Sequence, residues 1–114
     1  MAHLWDMLDA ARAVLEFVHG RRFEDLLSNR MLRSAVERNI EIIGEAARRV
    51  SADTRDSLPD IPWRAIIGLR NVLVHEYDEI RHEILWKLCG GELPLLIRQL
   101  EATGADSPLQ GDDA

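Results

Sequence analysis

From Leu4 to Val18, apolar residues return at steps of three and four: Leu4, Met7, Leu8, Ala11, Leu15 and Val18. That period marks one buried face of a helix, and Gly20 is a suitable stop. The stretch FEDLLSN then predicts a short helical turn. From Asn29 or Arg30 a second stripe runs through Leu32, Val36, Ile40, Ile43, Ala47 and Val50, with charges elsewhere. Ser51 to Pro59 reads as a loop. A third helix is expected near DIPWRA, with Asp60 placed to cap it and Pro62 in its first turn, running to about Glu76. Asp78 is placed to cap a fourth helix that begins EIRHEILWKL. Gly90, Gly91 and Pro94 are poor interior residues and interrupt it, and the pattern resumes through LLIRQLEA. No alternating run of β-branched residues marks a strand. The expected fold is all-α, an antiparallel four-helix bundle with one additional short helical turn. One domain is expected over residues 1–104. Residues 105–114 read as an acidic, flexible tail.

The chain has 114 residues, enough for one core without covalent staples. Apolar residues make up 46% and charged residues 30%, a balance that opposes global disorder. The single cysteine, Cys89, leaves no intrachain disulfide and fits a reducing cytoplasm. No apolar run approaches about 18 residues, so no membrane span is expected. The N-terminal stretch has early acids and lacks a signal-peptide layout. The net charge of -6 opposes a non-specific nucleic-acid coat, whose binding rests on neutralising phosphates. Residues 1–104 carry 14 basic and 17 acidic side chains, so a local basic groove is compatible with that sum.

The third helix carries the chemistry. At 100° per residue, with Arg70 at zero, Trp63, Val74 and Ile67 fall within about 60° on one side. Ile66, Leu73 and Tyr77 fall within about 60° on the other. Arg70 thus sits inside the apolar stripe, where a guanidinium must find a carboxylate, a phosphate or water. A second, polar line holds Asn71, Arg64, His75 and Gly68, from about 100° to 160°. Gly68 costs roughly 1 kcal/mol of helix propensity relative to alanine. Close approach by another backbone or a ligand is one reason for it, and a packing gap is another.

Two readings of these residues stand side by side. In one, Arg70 pairs with Glu41 or Glu45 of the second helix, and His75 is a cation satisfying the last carbonyls of its helix. In the other, Arg70 grips a phosphate through its planar fork and His75 moves protons near neutrality. With Asn71 they then suit cleavage of an RNA phosphodiester through the neighbouring 2′-hydroxyl, without a metal. Arg70 and His75 lie about 140° apart on an ideal helix, so one copy does not easily aim both at one phosphate. A two-fold dimer packed at this helix would line one cleft with groups from both chains.

The run Arg70-Asn71-Val72-Leu73-Val74-His75-Glu76-Tyr77 reads R-x4-H-x-Y, with asparagine directly after the arginine. It resembles the HEPN superfamily, and specifically the HepT-like toxins of toxin–antitoxin pairs. AVERNIEIIGEAARRVS (residues 35–51) and IPWRAIIGLRNVLVHEYDEI (residues 61–80) resemble segments of the same family, and the likeness covers about residues 3–100. The resemblance implies an all-α HEPN-like bundle, a homodimer with a composite site, and metal-independent cleavage of RNA with no cofactor. Arg70 and His75 would be catalytic, and Asn71 an accessory polar residue. Tyr77 matches the tyrosine that is AMPylated in related toxins by an MntA-like minimal nucleotidyltransferase antitoxin. The added phosphate and bulk would block RNA entry. Glu76, Asp78 and Glu79 depart from the small or neutral residues common beside the histidine; they would repel RNA or help to hold a basic antitoxin surface. The competing class is a non-catalytic HEPN nucleotide-binding or protein-interaction module, in which Arg70 and His75 hold a phosphate without cutting.

Other chemistry is weaker. His82-Glu83 starts like H-E-x-x-H, but Trp86 occupies the second histidine position, so no zinc site is expected. Trp5, Trp63 and Trp86 read as core anchors. Cys89 reads as a small buried residue rather than a nucleophile.

Overall fold

A computed structural model describes residues 2–75 and 82–105, apart from the side chain of His75. Seven α-helices follow in order: α1 (Ala2–Val18), α2 (Phe23–Ser28), α3 (Arg30–Arg49), α4 (Ala52–Ser57), α5 (Trp63–His75), α6 (His82–Lys87) and α7 (Leu93–Glu101). A π-helical turn over Leu88–Glu92 joins α6 to α7. No strand occurs among the described residues. The expected all-α bundle is what the chain forms: α1, α3, α5 and the α6–α7 run are its long members.

The ends of these helices follow from local chemistry. Gly20 takes a left-handed φ of 71° just past α1, which a side chain would resist. The Asn29 side chain accepts from the Leu32 amide at 3.0 Å and so caps α3. Ser51 does the same for α4, its Oγ accepting from the Thr54 amide at 3.2 Å. That cap turns a stretch expected to be a loop into a helix. Asp60 does not cap α5, which begins three residues later at Trp63. The Pro62 carbonyl accepts the Ile66 amide at 3.0 Å instead.

The expected interruption at Gly90, Gly91 and Pro94 is a change of helix type. The Leu93 amide reaches the Leu88 carbonyl, five residues back. The wider turn makes room for the Pro94 ring, which in a regular helix would strike the carbonyl four residues earlier.

The apolar stripes meet in one core. Leu4, Met7, Leu8 and Val14 of α1 face Val36, Ile40, Ile43 and Ala47 of α3, and Leu85, Leu93, Leu96 and Leu100 close the far side. Each large side chain taken out of water here contributes about 1.5–3 kcal/mol. Cys89 is buried among them, and desolvation pushes its thiol up to about 11. Trp63 and Trp86 pack partly buried against the core, but Trp5 is 37% exposed. It sits about 100° round the helix from Leu4, beyond the edge of the stripe. Among the described residues no helix is long and apolar enough to cross a membrane. Ala105 is buried, and residues 106–114 lie outside the described residues.

Candidate functional site

Helix α5 lies antiparallel along α3. Gly44 of α3 meets Ile66 and Arg70, while Ser34 to Glu41 line a shared cleft with Leu73 and Val74. The contact at Gly44 is very close. A Cβ built there would overlap the Cβ of Arg70 and come within 2.7 Å of its Cγ and 3.2 Å of the Ile66 carbonyl oxygen. Only a residue without a side chain lets the stem of Arg70 lie flat against α3. The close approach expected at Gly68 is found here instead; nothing lies within 4 Å of a Cβ built at Gly68.

This seating decides what the guanidinium reaches. The Arg70 side chain retains 15% exposure, and its Nη2 stands 3.7 Å from Glu45 Oε1. Of the two acids expected as partners, Glu45 is the one beside it; Glu41 lies 3.7 Å from Arg38. Arg70 Nη1 donates to Asn71 Oδ1 at 3.1 Å, and its Nε is buried without a hydrogen-bond partner. A 3.7 Å ion pair is longer than a charge-assisted hydrogen bond, so Glu45 balances the charge without occupying the fork. A guanidinium has five N–H donors, and most of these remain for another acceptor.

The sequence separated Arg70 from the polar line of Asn71 and His75. The structure brings Arg70 and Asn71 into contact, because the long side chain reaches round the helix. Asn71 is exposed, and His75 is the last residue of α5, about 7.5 Å further along the axis than Arg70. The His75 side chain and Tyr77, together with Glu76, Asp78 and Glu79, lie outside the described residues.

A carboxylate flanks the C-terminal half of α5. Glu37 of α3 lines the cleft with Leu73 and Val74. Burial raises its carboxyl above the ordinary 4.5; His82 and Arg33 oppose that rise, and Glu41 adds to it. Among the described residues no group of three or more histidines, cysteines or acids is arranged to hold a metal ion.

Two contributors escaped the sequence reading. Gly44 interrupts a good helical stripe, and the propensity argument applied to Gly68 would have found it. Arg55 was hidden in the supposed loop; the Ser51 cap, followed by alternating polar residues, was its signal.

Comparison with known proteins agrees with this layout. The family model for HepT-like proteins, described as "Ribonuclease HepT-like", matches residues 7–103. A Methanocaldococcus jannaschii protein named "Putative RNase MJ1380" is 39% identical over 100 residues, 88% of this chain and 92% of the relative. A Thermococcus cleftensis protein named "Probable ribonuclease HepT" is 34% identical over 99 residues, 87% and 90% of the two chains. No solved structure matches the chain. With nearly its whole length matched by the family model, and with the helical architecture just described, the chain belongs to the HepT-like ribonuclease family.

Proposed function

We propose that the protein is a metal-independent endoribonuclease and the toxin of a HepT/MntA-like toxin–antitoxin pair. The observation that carries this reading is the seat of Arg70: a half-buried guanidinium, steadied by Gly44 and Asn71, one to two turns from His75 in a HepT-like chain. A cation held this way is preorganised for charge that develops on phosphorus.

The chemistry is a transesterification. The ribose 2′-oxygen attacks phosphorus and loses its proton to a histidine. The bond to the 5′-oxygen breaks, and that oxygen takes a proton. The products are a 2′,3′-cyclic phosphate and a 5′-hydroxyl. Arg70 offsets the charge on the non-bridging oxygens, and Asn71 keeps the guanidinium on the His75 side of α5. In a homodimer closed at α5, the His75 residues of two chains serve as base and acid in one composite cleft. Val74 next to His75 is 36% exposed, which offers apolar surface for such closure.

Regulation follows from Tyr77. AMP transferred to its hydroxyl by a nucleotidyltransferase antitoxin would put phosphate charge two residues from His75 and exclude RNA.

The deciding experiment incubates the unmodified protein with RNA in excess chelator, beside Arg70→Ala and His75→Ala. Cleavage that both substitutions abolish supports the reading. Cleavage persisting in both assigns the activity elsewhere. An inert wild type would favour a binding module, in which the Glu45-paired Arg70 is structural. Intact mass after co-expression with the neighbouring gene tests AMPylation: an added mass that survives Tyr77→Phe overturns the role of Tyr77.

A further inference from the structure

A groove runs between α4 and the first half of α5, with a volume of about 750 Å³. Arg55 and Asp56 line it from α4; Trp63, Arg64, Gly68 and Asn71 line it from α5. Four facts set this groove apart from an ordinary surface cleft. Arg55 and Arg64 form no ion pair among the described residues, and Arg55 Nε is buried without a partner. Trp63 lines the groove, and its indole is held in place because Nε1 donates to the Leu58 carbonyl at 3.0 Å. Gly68 is exposed in the interior of a helix, where it costs roughly 1 kcal/mol against alanine, yet nothing in the chain approaches it. Asn71, at the end of the groove, holds Arg70.

Cations without counter-ions, a fixed aromatic surface and a backbone open to close approach together describe a seat for an unpaired nucleic-acid strand. We propose that this groove is the track of a single-stranded RNA on its way to the Arg70–His75 site. Arg55 and Arg64 hold phosphates upstream or downstream of the one to be cut. Trp63 stacks on a base. Gly68 lets the sugar-phosphate chain lie against α5. The line Arg64, Gly68, Asn71, His75 follows one ridge of the helix. Arg64 and Asn71 are about 10.5 Å apart along it, so a strand on this ridge is led from the groove to His75. Asp56 also lines the groove and limits its positive charge, which suits a chain of net charge -6 that takes one strand rather than coating itself with nucleic acid. The inference rests on the ribonuclease reading for its destination, but binding and cutting separate experimentally.

The test is fluorescence anisotropy with a labelled single-stranded RNA carrying 2′-O-methyl groups, which cannot be cut through the 2′-hydroxyl. It is run on the full chain and on Arg55→Ala, Arg64→Ala and Gly68→Leu. Arg21→Ala is the control: Arg21 is exposed ahead of the start of α3, whereas α4 follows its end. Each arginine variant is expected to bind about tenfold more weakly. Each is also expected to lower the slope of log affinity against log salt by about 0.7, the signature of one lost phosphate in a single strand. Gly68→Leu is expected to weaken binding with no fall in melting temperature, and the control to bind as wild type. Absence of binding at low salt, or affinity and slope unchanged in both arginine variants, overturns the proposal. So does a Gly68→Leu protein that binds RNA normally but sediments at a different mass, which would assign the face to a second copy. Groove-dependent binding of RNA that is never cut when cleavable removes the catalytic reading alone. Cleavage that needs Arg70 and His75, with wild-type binding and KM in the groove variants, removes the groove alone.

Discussion

Gly44 and Arg70 occupy one another's space: the α-carbon of the first stands where any β-carbon would collide with the β-carbon of the second. This contact places the cation, and it makes two glycines of the chain opposite in kind.

Gly44→Ala is therefore expected to destabilise the fold although alanine is the better helix former. Its methyl group must push apart α3 and α5, and overpacking of this kind costs about 1–3 kcal/mol. Gly68→Ala meets nothing and is expected to stabilise by up to about 1 kcal/mol through helix propensity. Urea unfolding of both variants checks the contrast; shifts of the same sign would refute the close approach.

Arg70→Ala is expected to lower RNA cleavage by a factor of about 10²–10³, the usual cost of removing one donor to a charged transition state. Arg70→Lys keeps the charge without the fork and is expected to recover only part of the rate. Single-turnover rates at saturating RNA separate this effect from binding. Full rescue by lysine would reduce the role of Arg70 to plain charge.

Glu45→Gln removes the counter-ion at 3.7 Å. Glu45 is 38% exposed, so the loss of stability is expected to stay under about 1 kcal/mol. With its charge less balanced, Arg70 is expected to bind RNA more tightly at low salt. A fall in affinity would show that Glu45 positions the guanidinium.

Glu37 has its carboxyl raised above 4.5, chiefly by burial. The folded chain then binds more protons than the unfolded chain between 4.5 and that raised value, so stability falls as pH climbs through this window. Glu37→Gln is expected to flatten the fall. Urea midpoints measured from pH 4 to 7 give the answer, and parallel curves for the two proteins would contradict the assignment.

Cys89, buried and with its thiol pushed up to about 11, is expected to ignore a thiol reagent at pH 8 until the chain unfolds. Labelling in increasing urea should follow the loss of helical circular dichroism. Fast labelling of the native protein would show that the end of α6 opens locally.

The apolar stripes of α1 and α3 were legible in the sequence because a buried face repeats over many turns. Most of Leu4, Met7, Leu8, Val36, Ile40 and Ile43 could be placed before any coordinates. Helix α4 was not legible in the same way: six residues carry no period, and its existence rests on one hydroxyl of Ser51. Arg70 was legible as a misplaced cation. Its environment was not, since Gly44 is 26 positions away and only tertiary packing joins them. The contact with Asn71 was hidden for a different reason. Helical angles locate α- and β-carbons, whereas an arginine can carry its charge a quarter turn round the helix.

The π-helical turn also has a meaning for chain length. It holds one residue more than regular helical winding would use, and so fixes the phase of all that follows. Deleting one residue within Leu88–Glu92 would let the winding become regular, and α7 would swing by about 100°. Leu93, Leu96 and Leu100 would leave the core, and Gln99 would lose the Asp60 carbonyl it reaches at 3.0 Å near the entry to α5. A single-residue deletion more than 20 positions from Arg70 along the chain would then loosen the entry to the helix that carries it. In this fold the register of the last helix is a silent determinant of the site, and lineages that keep the one should keep the other.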